Sequence, residues 1–208
     1  MNNLRRLPIA TAPITTALAA LSLSLTIVAC SPAGTGNAAP PLAGAQIGGP
    51  FTLTDQNGKQ VSDRDFAGKF RIVYFGYTYC PDVCPVDMQN IARGLKVLDK
   101  RDPKLGADIV PIFISVDPAR DKPPVLRQFV SAFDPRMVGL TGTPAQIAAV
   151  AKEFAIYYQA QPPAENGAYT VDHSRVAYLL DRQGKPLAIL RHDGTPDQIA
   201  DDIQRWAR

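Results

Sequence analysis

The sequence predicts an α/β fold: a mixed β-sheet flanked by helices, with a β-hairpin at its N-terminal end. Two apolar runs, at residues 70–77 and 108–116, are rich in β-branched and aromatic residues, as the buried strands of such sheets are. Segments with helical periodicity follow both runs, and this alternation of strand and helix is typical of α/β proteins. A chain of 208 residues is long enough to bury one sizeable core.

Local signals define each element in chain order. Residues 51–61 form two short alternating runs around an Asn57-Gly58 turn, which favours a hairpin. Pro85 suits the first position of the next helix, and Thr143 and Thr195 each precede a proline at a helix start. After the hairpin, the predicted elements are strand 70–77, helix 86–100, strand 108–116, helix 124–133, strand 137–140, a helix from 144, strands 169–171, 175–180 and 187–191, and a final helix from 196. This order predicts a thioredoxin-like pattern with helices on both faces of the sheet.

The first 30 residues resemble the export signal of a bacterial lipoprotein. Arg5 and Arg6 precede an uncharged stretch at residues 9–29, and Cys30 follows the small residue Ala29, as in a lipobox. We therefore expect a signal peptide with Cys30 acylated, although the apolar stretch is also about long enough for an uncleaved membrane anchor. Either alternative places the folded part on the periplasmic side of the bacterial cell envelope, attached to the membrane.

The remainder of the chain divides into a linker and one domain. Residues 31–50 are uncharged and rich in Gly, Pro and Ala, which predicts a flexible tether. Residues 51–208 then form the folded domain. Its basic residues are scattered and the formal net charge of the chain is only +3, so the composition gives no support for nucleic-acid binding.

Cys80 and Cys84 are the two thiols of the predicted domain, and they lie between a buried strand and a helix. A disulfide between them would close too short a loop to stabilise a domain of this size, so the pair is expected to be reactive. The helix N-terminus should favour the thiolate form, which attacks disulfides and binds soft metals. The C-x-x-x-C spacing permits either a redox-active disulfide or a metal site.

A metal site would require a third donor, and His173 is the candidate. It precedes a strand that should lie beside the thiol-bearing strand, which would bring its ring to the same edge of the sheet. His192, in a charged context, is expected to be solvated. Two thiolates and an imidazole suit copper in either oxidation state, and zinc also fits these donors, although a structural zinc site usually has four protein ligands. Asp82 and Asp117 are candidates for orienting the site from outside the ligand set, and turn or strand-end roles are at least as well supported for both.

Three sequence blocks resemble the Sco (SenC) family, over roughly residues 49–208. The blocks are Gly76-Tyr-Thr-Tyr-Cys-Pro-Asp-Val-Cys-Pro85, Ser115-Val-Asp-Pro-Ala-Arg-Asp121 and Asp172-His-Ser174 with Ala177-Tyr-Leu-Leu-Asp181. The resemblance implies a thioredoxin-like fold and copper bound by Cys80, Cys84 and His173.

The same resemblance implies a role in assembling the binuclear copper site of cytochrome c oxidase. The expected partner is the copper-site subunit of the oxidase, with another periplasmic copper protein as a possible donor. The alternative is a thiol–disulfide reductase in which Cys80 and Cys84 reduce the cysteines of that subunit. This alternative does not require His173, so the imidazole distinguishes the two functions.

Overall fold

The computed structural model describes residues 38–208. The main sheet has seven strands in the order β2-β1-β5-β4-β3-β8-β9, and a separate two-stranded sheet pairs β6 with β7. The strands are β1 Thr52–Asp55, β2 Gln60–Ser62, β3 Phe70–Gly76, β4 Ile109–Ser115, β5 Val138–Thr141, β6 Tyr158–Ala160, β7 Val171–His173, β8 Ala177–Leu180 and β9 Pro186–Ile189. The helices are α1 Val83–Arg101, α2 Pro103–Ala107, α3 Pro123–Ser131, α4 Pro144–Glu153 and α5 Pro196–Trp206.

The main sheet is mixed, as the sequence predicts. Strand β3 pairs in parallel with β4 and antiparallel with β8, and β4 continues in parallel with β5. Every residue of β3 is buried, which is expected of a central strand covered on both faces. The predicted hairpin is present as β1 and β2, with Gly58 at a positive φ of 81° in its turn.

Side-chain alternation along β3 separates the two faces of the sheet. Tyr74 points towards α1, where its hydroxyl donates a hydrogen bond to Asp87. Phe75, the next residue, packs against Phe154 at the end of α4, with ring centroids 5.3 Å apart. The sheet therefore has helices on both faces, as predicted.

Helix α1 begins three residues earlier than the sequence pattern suggests. It starts at Val83, so Pro85 lies within its first turn and not at its first position. The first backbone N–H groups of a helix have no partner inside the helix, so a proline there costs no hydrogen bond. Helix α1 packs closely on α5, because Gly94 leaves room for Ile199: a Cβ at position 94 would lie 2.5 Å from an Ile199 methyl carbon.

Strand β7 does not join the main sheet. The sequence analysis expected a strand at residues 169–171 and did not identify β6. In the structure, β7 pairs with β6 in a separate hairpin that places His173 opposite Tyr158. Strand β6 is short and mostly exposed, so it carries little of the apolar alternation that reveals a strand in a sequence.

Part of the segment predicted to be a flexible tether packs on the domain. The Leu42 N–H donates to the Leu187 carbonyl at 3.0 Å, and the Gly48 N–H donates to the Glu153 carbonyl at 2.8 Å. Leu42 and Ile47 also pack against the core, and these apolar side chains explain why residues 42–48 are held. The expected signal peptide, Cys30 and the first seven residues of the expected tether lie outside the described residues. Within the described part of the chain, no helix has the length and hydropathy needed to cross a membrane.

Candidate metal centre

The two thiols lie where β3 ends and α1 begins. Cys84 is in the first turn of α1 and is fully buried, whereas Cys80 precedes the helix and is half-buried. The Cys84 sulfur occupies space that a side chain at Gly76 would fill, because a Cβ there would lie 2.8 Å from Sγ. The Cys84 N–H points at Cys80 Sγ over 3.5 Å. The strand end, the glycine and the helix start thus place both sulfurs together.

His173 completes a group of three donors. Its Nε2 lies 3.3 Å from Cys84 Sγ, and the donor atoms of Cys80, Cys84 and His173 all lie within 4.8 Å of one another. Its Nδ1 is 3.2 Å from the Ser174 carbonyl oxygen, an acceptor that assigns the proton to Nδ1 and leaves the Nε2 lone pair facing the sulfurs. Among residues 38–208, no fourth Cys, His, Asp or Glu belongs to this group.

Burial controls the protonation of this group. It lowers the pKa of His173, so the imidazole is neutral and able to bind a metal near pH 7. Burial also raises the pKa of the Cys84 thiol, which contradicts our expectation that the helix N-terminus would favour its thiolate. Ionising a thiol that is shielded from water costs more free energy than the helix dipole offsets. A metal ion must therefore displace the Cys84 proton when it binds.

Asp121 anchors the loop between β3 and α1. It accepts hydrogen bonds from the Thr78 N–H at 2.9 Å, from the Thr78 hydroxyl at 2.5 Å and from the Ser115 hydroxyl at 2.6 Å. Its carboxyl is fully buried, and burial raises its pKa. The residues that follow β4 therefore fix the backbone two positions before Cys80.

Arg120 connects this loop to the hairpin that carries His173. Its guanidinium carbon lies 3.5 Å from the ring centroid of Tyr169, 5.0 Å from that of Tyr79 and 5.6 Å from that of Tyr77. Its Nη1 also donates to the Tyr169 carbonyl at 2.9 Å. Tyr77 and Tyr79 precede Cys80, and Tyr169 precedes β7, so one arginine contacts both parts of the metal centre.

The two aspartates considered as outer groups have different surroundings. Asp117 is buried and pairs with Arg120 Nε, and it accepts a hydrogen bond from the Tyr169 hydroxyl at 2.9 Å. It therefore supports the centre through Arg120. Asp82 is exposed and makes no capping hydrogen bond to α1, so nothing in its surroundings links it to the sulfurs.

A buried polar network that the sequence analysis missed lies beneath the centre. Asp87 is fully buried, accepts a hydrogen bond from the Tyr74 hydroxyl at 2.8 Å and pairs with both Nε and Nη2 of Arg175, at 2.7 and 2.5 Å. The Tyr74 ring in turn contacts the His173 ring edge-on at 6.2 Å between centroids. Asp87 follows Cys84 by three residues on α1, a spacing that places both on one helix face and could have identified it.

The expectation that His192 is solvated was wrong. His192 is only 7 % exposed, its Nδ1 lies 3.2 Å from the Leu190 carbonyl oxygen, and its Nε2 is 3.5 Å from Asp87 Oδ2. Its ring also packs edge-on against Tyr74. The charged neighbours in the sequence misled the interpretation, because only the histidine turns inward.

Replacing Arg120 with lysine should loosen the hairpin that carries His173. Lysine keeps the charge but loses the planar stacking and the forked hydrogen bonds to Asp117 and Tyr169. We expect a local loss of about 1–2 kcal/mol, which would raise hydrogen exchange at the amides of β6 and β7 roughly five- to thirtyfold. Arg93→Lys, at an exposed position of α1, is the matched control. Equal exchange rates in the two variants would contradict a bridging role for Arg120.

Comparisons with known proteins agree on one family. The SCO1/SenC family model matches residues 39–208. The protein SenC of Rhodobacter capsulatus is 47 % identical over 170 residues, which cover 82 % of this chain and 72 % of that protein. The chain matches only about half of several mitochondrial relatives, for example 53 % of the human SCO1 homolog. These matches confirm the resemblance found in the three sequence blocks.

Solved structures give the same result. The copper-bound structure of ScoI from Bradyrhizobium japonicum aligns with a TM-score of 0.70 at 42 % identity, covering 77 % of this chain and 99 % of that one. BsSco, described as a member of the Sco family of cytochrome c oxidase assembly proteins with a disulfide switch, aligns with a TM-score of 0.58 at 28 % identity and similar coverage, 77 % of this chain and 93 % of that one. The mixed sheet flanked by helices matches these structures, so the thioredoxin-like fold is confirmed.

Proposed function

Since the chain belongs to the SCO1/SenC family, we propose that it is a membrane-tethered copper chaperone that helps to assemble the binuclear copper site of cytochrome c oxidase. The observation that carries the proposal is the convergence of two sulfurs and one imidazole nitrogen within 4.8 Å. Two soft thiolates suit Cu(I), and the added nitrogen suits Cu(II). Copper is therefore cargo held by Cys80, Cys84 and His173.

The exposure of the donors supports transfer as well as binding. Cys84 is fully buried at the back of the centre, whereas Cys80 and His173 are partly exposed. A thiolate of the acceptor can approach copper from the exposed side and form a new Cu–S bond before the Cu–S bond to Cys80 breaks. The proton released when Cys84 binds copper returns to the sulfur when the metal leaves. Copper thus moves by ligand exchange without a change of oxidation state.

The expected location follows from the N-terminal sequence. Acylation at Cys30 would hold the domain at the membrane on the periplasmic side of the cell envelope. The segment that begins at residue 31 would then allow the domain to extend away from the membrane. A second periplasmic copper protein is the expected source of the cargo.

The half-exposed Cys80 in front of the buried Cys84 also favours a second function, thiol–disulfide reduction. The Cys80 thiolate would attack a disulfide of the target subunit, and one target sulfur would leave as a thiolate. The Cys84 sulfur would then displace the other target sulfur and form a Cys80–Cys84 disulfide. The target gains two electrons and this chain loses two, and none of these steps requires His173.

A two-arm transfer experiment separates the two functions. In the first arm, the reduced protein loaded with one equivalent of Cu(I) is mixed with the reduced, copper-free domain of the oxidase subunit, and mass spectrometry follows the metal. We expect copper to move while both cysteines of the donor stay reduced. In the second arm, the copper-free protein meets the oxidised domain, and alkylation of free thiols reports reduction. Failure of the reduced protein to take up copper would exclude the chaperone, and an unreduced target would exclude the reductase.

A further inference from the structure

A cavity of about 450 Å³ lies on the face of the main sheet opposite α1. Its walls are the segment 44–51, the turn at 183–186 and the sheet residues between them. Arg71 and Val73 of β3 line it, whereas Ile72 and Tyr74, which alternate with them, face Met88 on α1. This volume is within the range of small-molecule sites.

A buried arginine forms the polar part of this cavity. Arg71 is only 5 % exposed, and its Nε donates to the Phe66 carbonyl at 3.2 Å. Within residues 38–208, neither Nη1 nor Nη2 has a hydrogen-bond or ion-pair partner. Burial lowers the pKa of Arg71, although an arginine remains charged. A charged guanidinium with so little access to water is costly unless an anion meets it.

The nearby carboxylates are held by other groups. Asp63, which lines the cavity, accepts a hydrogen bond from the Phe51 N–H at 3.3 Å. Asp181, behind the turn, accepts from the N–H groups of Gln183 and Lys185, both at 2.8 Å. Both carboxylates attract Arg71 from a distance, but neither forms an ion pair with it. Lys185 also lines the cavity. The charged residues of the lining are therefore the cations Arg71 and Lys185 and the anion Asp63.

Another part of the wall is apolar. Val73 and Leu180 from the sheet, Ile112 from β4 and Phe154 after α4 contribute side chains to the cavity. A ligand that complements both the Arg71 guanidinium and these apolar side chains needs one anionic group and a short hydrocarbon part. The free Nη1–Nη2 edge of Arg71 matches the two oxygens of a carboxylate, which arginine binds through paired N–H groups.

We propose that this cavity binds an organic monocarboxylate whose carboxylate pairs with Arg71 and whose hydrocarbon chain contacts Val73, Ile112 and Phe154. The same chemistry belongs to a free short-chain carboxylic acid and to the C-terminal carboxylate of an apolar peptide. Arg71 and Gly76 are five residues apart on β3, about 16 Å along the strand, so this site is separate from the thiols. The inference stands independently of copper binding.

The test is a titration of the reduced, copper-free, ¹⁵N-labelled protein with hexanoate, followed by amide chemical shifts. We expect saturable shifts at Gly48, Gly49 and Gly184, which line the cavity, and none at Thr78 or Cys80. Hexanol and hexanamide, with the same chain but no charge, should produce no saturable shift. N-acetyl-Ala-Leu with a free or an amidated C-terminus forms the peptide arm. Binding of the free form as well as hexanoate identifies a peptide terminus as an accepted source, and binding of hexanoate alone identifies a small acid.

Two variants test the role of the guanidinium. Arg71→Met keeps an unbranched apolar side chain but removes the guanidinium, and it should weaken hexanoate binding roughly ten- to hundredfold, the loss expected for charge-assisted hydrogen bonds. Arg93→Met removes the same charge at an exposed position and should leave the affinity unchanged. The proposal is overturned if neither hexanoate nor the peptide with a free C-terminus causes a saturable shift in the wild type, or if hexanol binds as well as hexanoate. Equal affinity in Arg71→Met would overturn it too, and the hexanol comparison remains decisive if that variant does not fold.

Discussion

Replacing His173 with alanine is expected to weaken Cu(II) binding far more than Cu(I) binding. Cu(I) is satisfied by the two thiolates of Cys80 and Cys84, whereas Cu(II) requires the nitrogen that lies 3.3 Å from Cys84 Sγ. Loss of a group outside the ligand set typically lowers metal affinity about 10- to 100-fold, so loss of the imidazole itself should lower Cu(II) affinity by more than about a hundredfold. The Cu(I) affinity should stay within about tenfold of the wild type, because both sulfurs remain.

The cysteine variants should behave differently from the histidine variant. Cys80→Ser and Cys84→Ser each leave one thiolate, and a hydroxyl is a poor ligand for Cu(I). We therefore expect both variants to lose copper in either oxidation state. Absorption in the thiolate-to-Cu(II) charge-transfer region, together with metal analysis after gel filtration, distinguishes the wild type, the histidine variant and the cysteine variants.

His192 provides the matched control for these measurements. It is the other histidine of the chain, and it contacts Tyr74 and Asp87 without belonging to the donor group. His192→Gln should keep one copper per chain and the charge-transfer band. Loss of Cu(II) in this variant, with retention in His173→Ala, would show that His192 and not His173 provides the nitrogen ligand. Thermal melts of each variant check that the fold survives.

The position of the donors could be predicted from the sequence because it depends on strand topology. The apolar run of β3 marks a buried central strand, and the residues that follow such a strand lie at the edge of the sheet. His173 precedes β8, which pairs antiparallel with β3, so the start of β8 lies at the end of β3. Two strand assignments and one pairing were therefore enough to bring His173 to Cys80 and Cys84.

The groups that surround the donors could not be predicted in the same way. The Asp87–Arg175 pair joins residues 88 positions apart, and although the spacing from Cys84 places Asp87 on the same helix face, no local signal identifies its partner. The same is true of His192, which lies between Arg191 and Asp193 and is buried against Tyr74. Charged residues are usually exposed, so a sequence pattern gives no warning when tertiary partners make burial possible. The raised pKa of Cys84 has the same origin, because it depends on how much water the fold excludes.

Replacing Asp87 with leucine is expected to destabilise the protein strongly for a change at a single polar residue. The change leaves the fully buried hydroxyl of Tyr74 without its acceptor and removes the partner of Arg175. Breaking a buried pair typically costs about 3–5 kcal/mol, but the Arg175 side chain is 41 % exposed and can reach water. We therefore expect a loss of about 2–4 kcal/mol in the free energy of unfolding, measured by urea denaturation.

Two further aspartate variants serve as comparisons for the loss of stability expected in Asp87→Leu. Asp87→Asn keeps the shape and one acceptor oxygen, so it should cost about half as much as leucine. Asp201→Asn removes a carboxylate from the exposed ion pair with Arg101 and should change stability by less than about 0.5 kcal/mol. If Asp87→Leu were as stable as Asp201→Asn, the buried network would make no net contribution to stability.

A double-mutant cycle connects this network to the metal centre. Tyr74 contacts Asp87 through its hydroxyl and His173 through its ring, so it is one route by which Asp87 can influence His173. The charge of Asp87, which acts on the imidazole directly, and Arg175, two residues after His173, are the other routes. Tyr74→Phe removes the hydroxyl and keeps the ring. If Tyr74 transmits the effect, Asp87→Asn and Tyr74→Phe should be non-additive in Cu(II) affinity by about 0.5–3 kcal/mol. Full additivity in Cu(II) affinity would instead assign the effect of Asp87 to its charge or to its ion pair with Arg175.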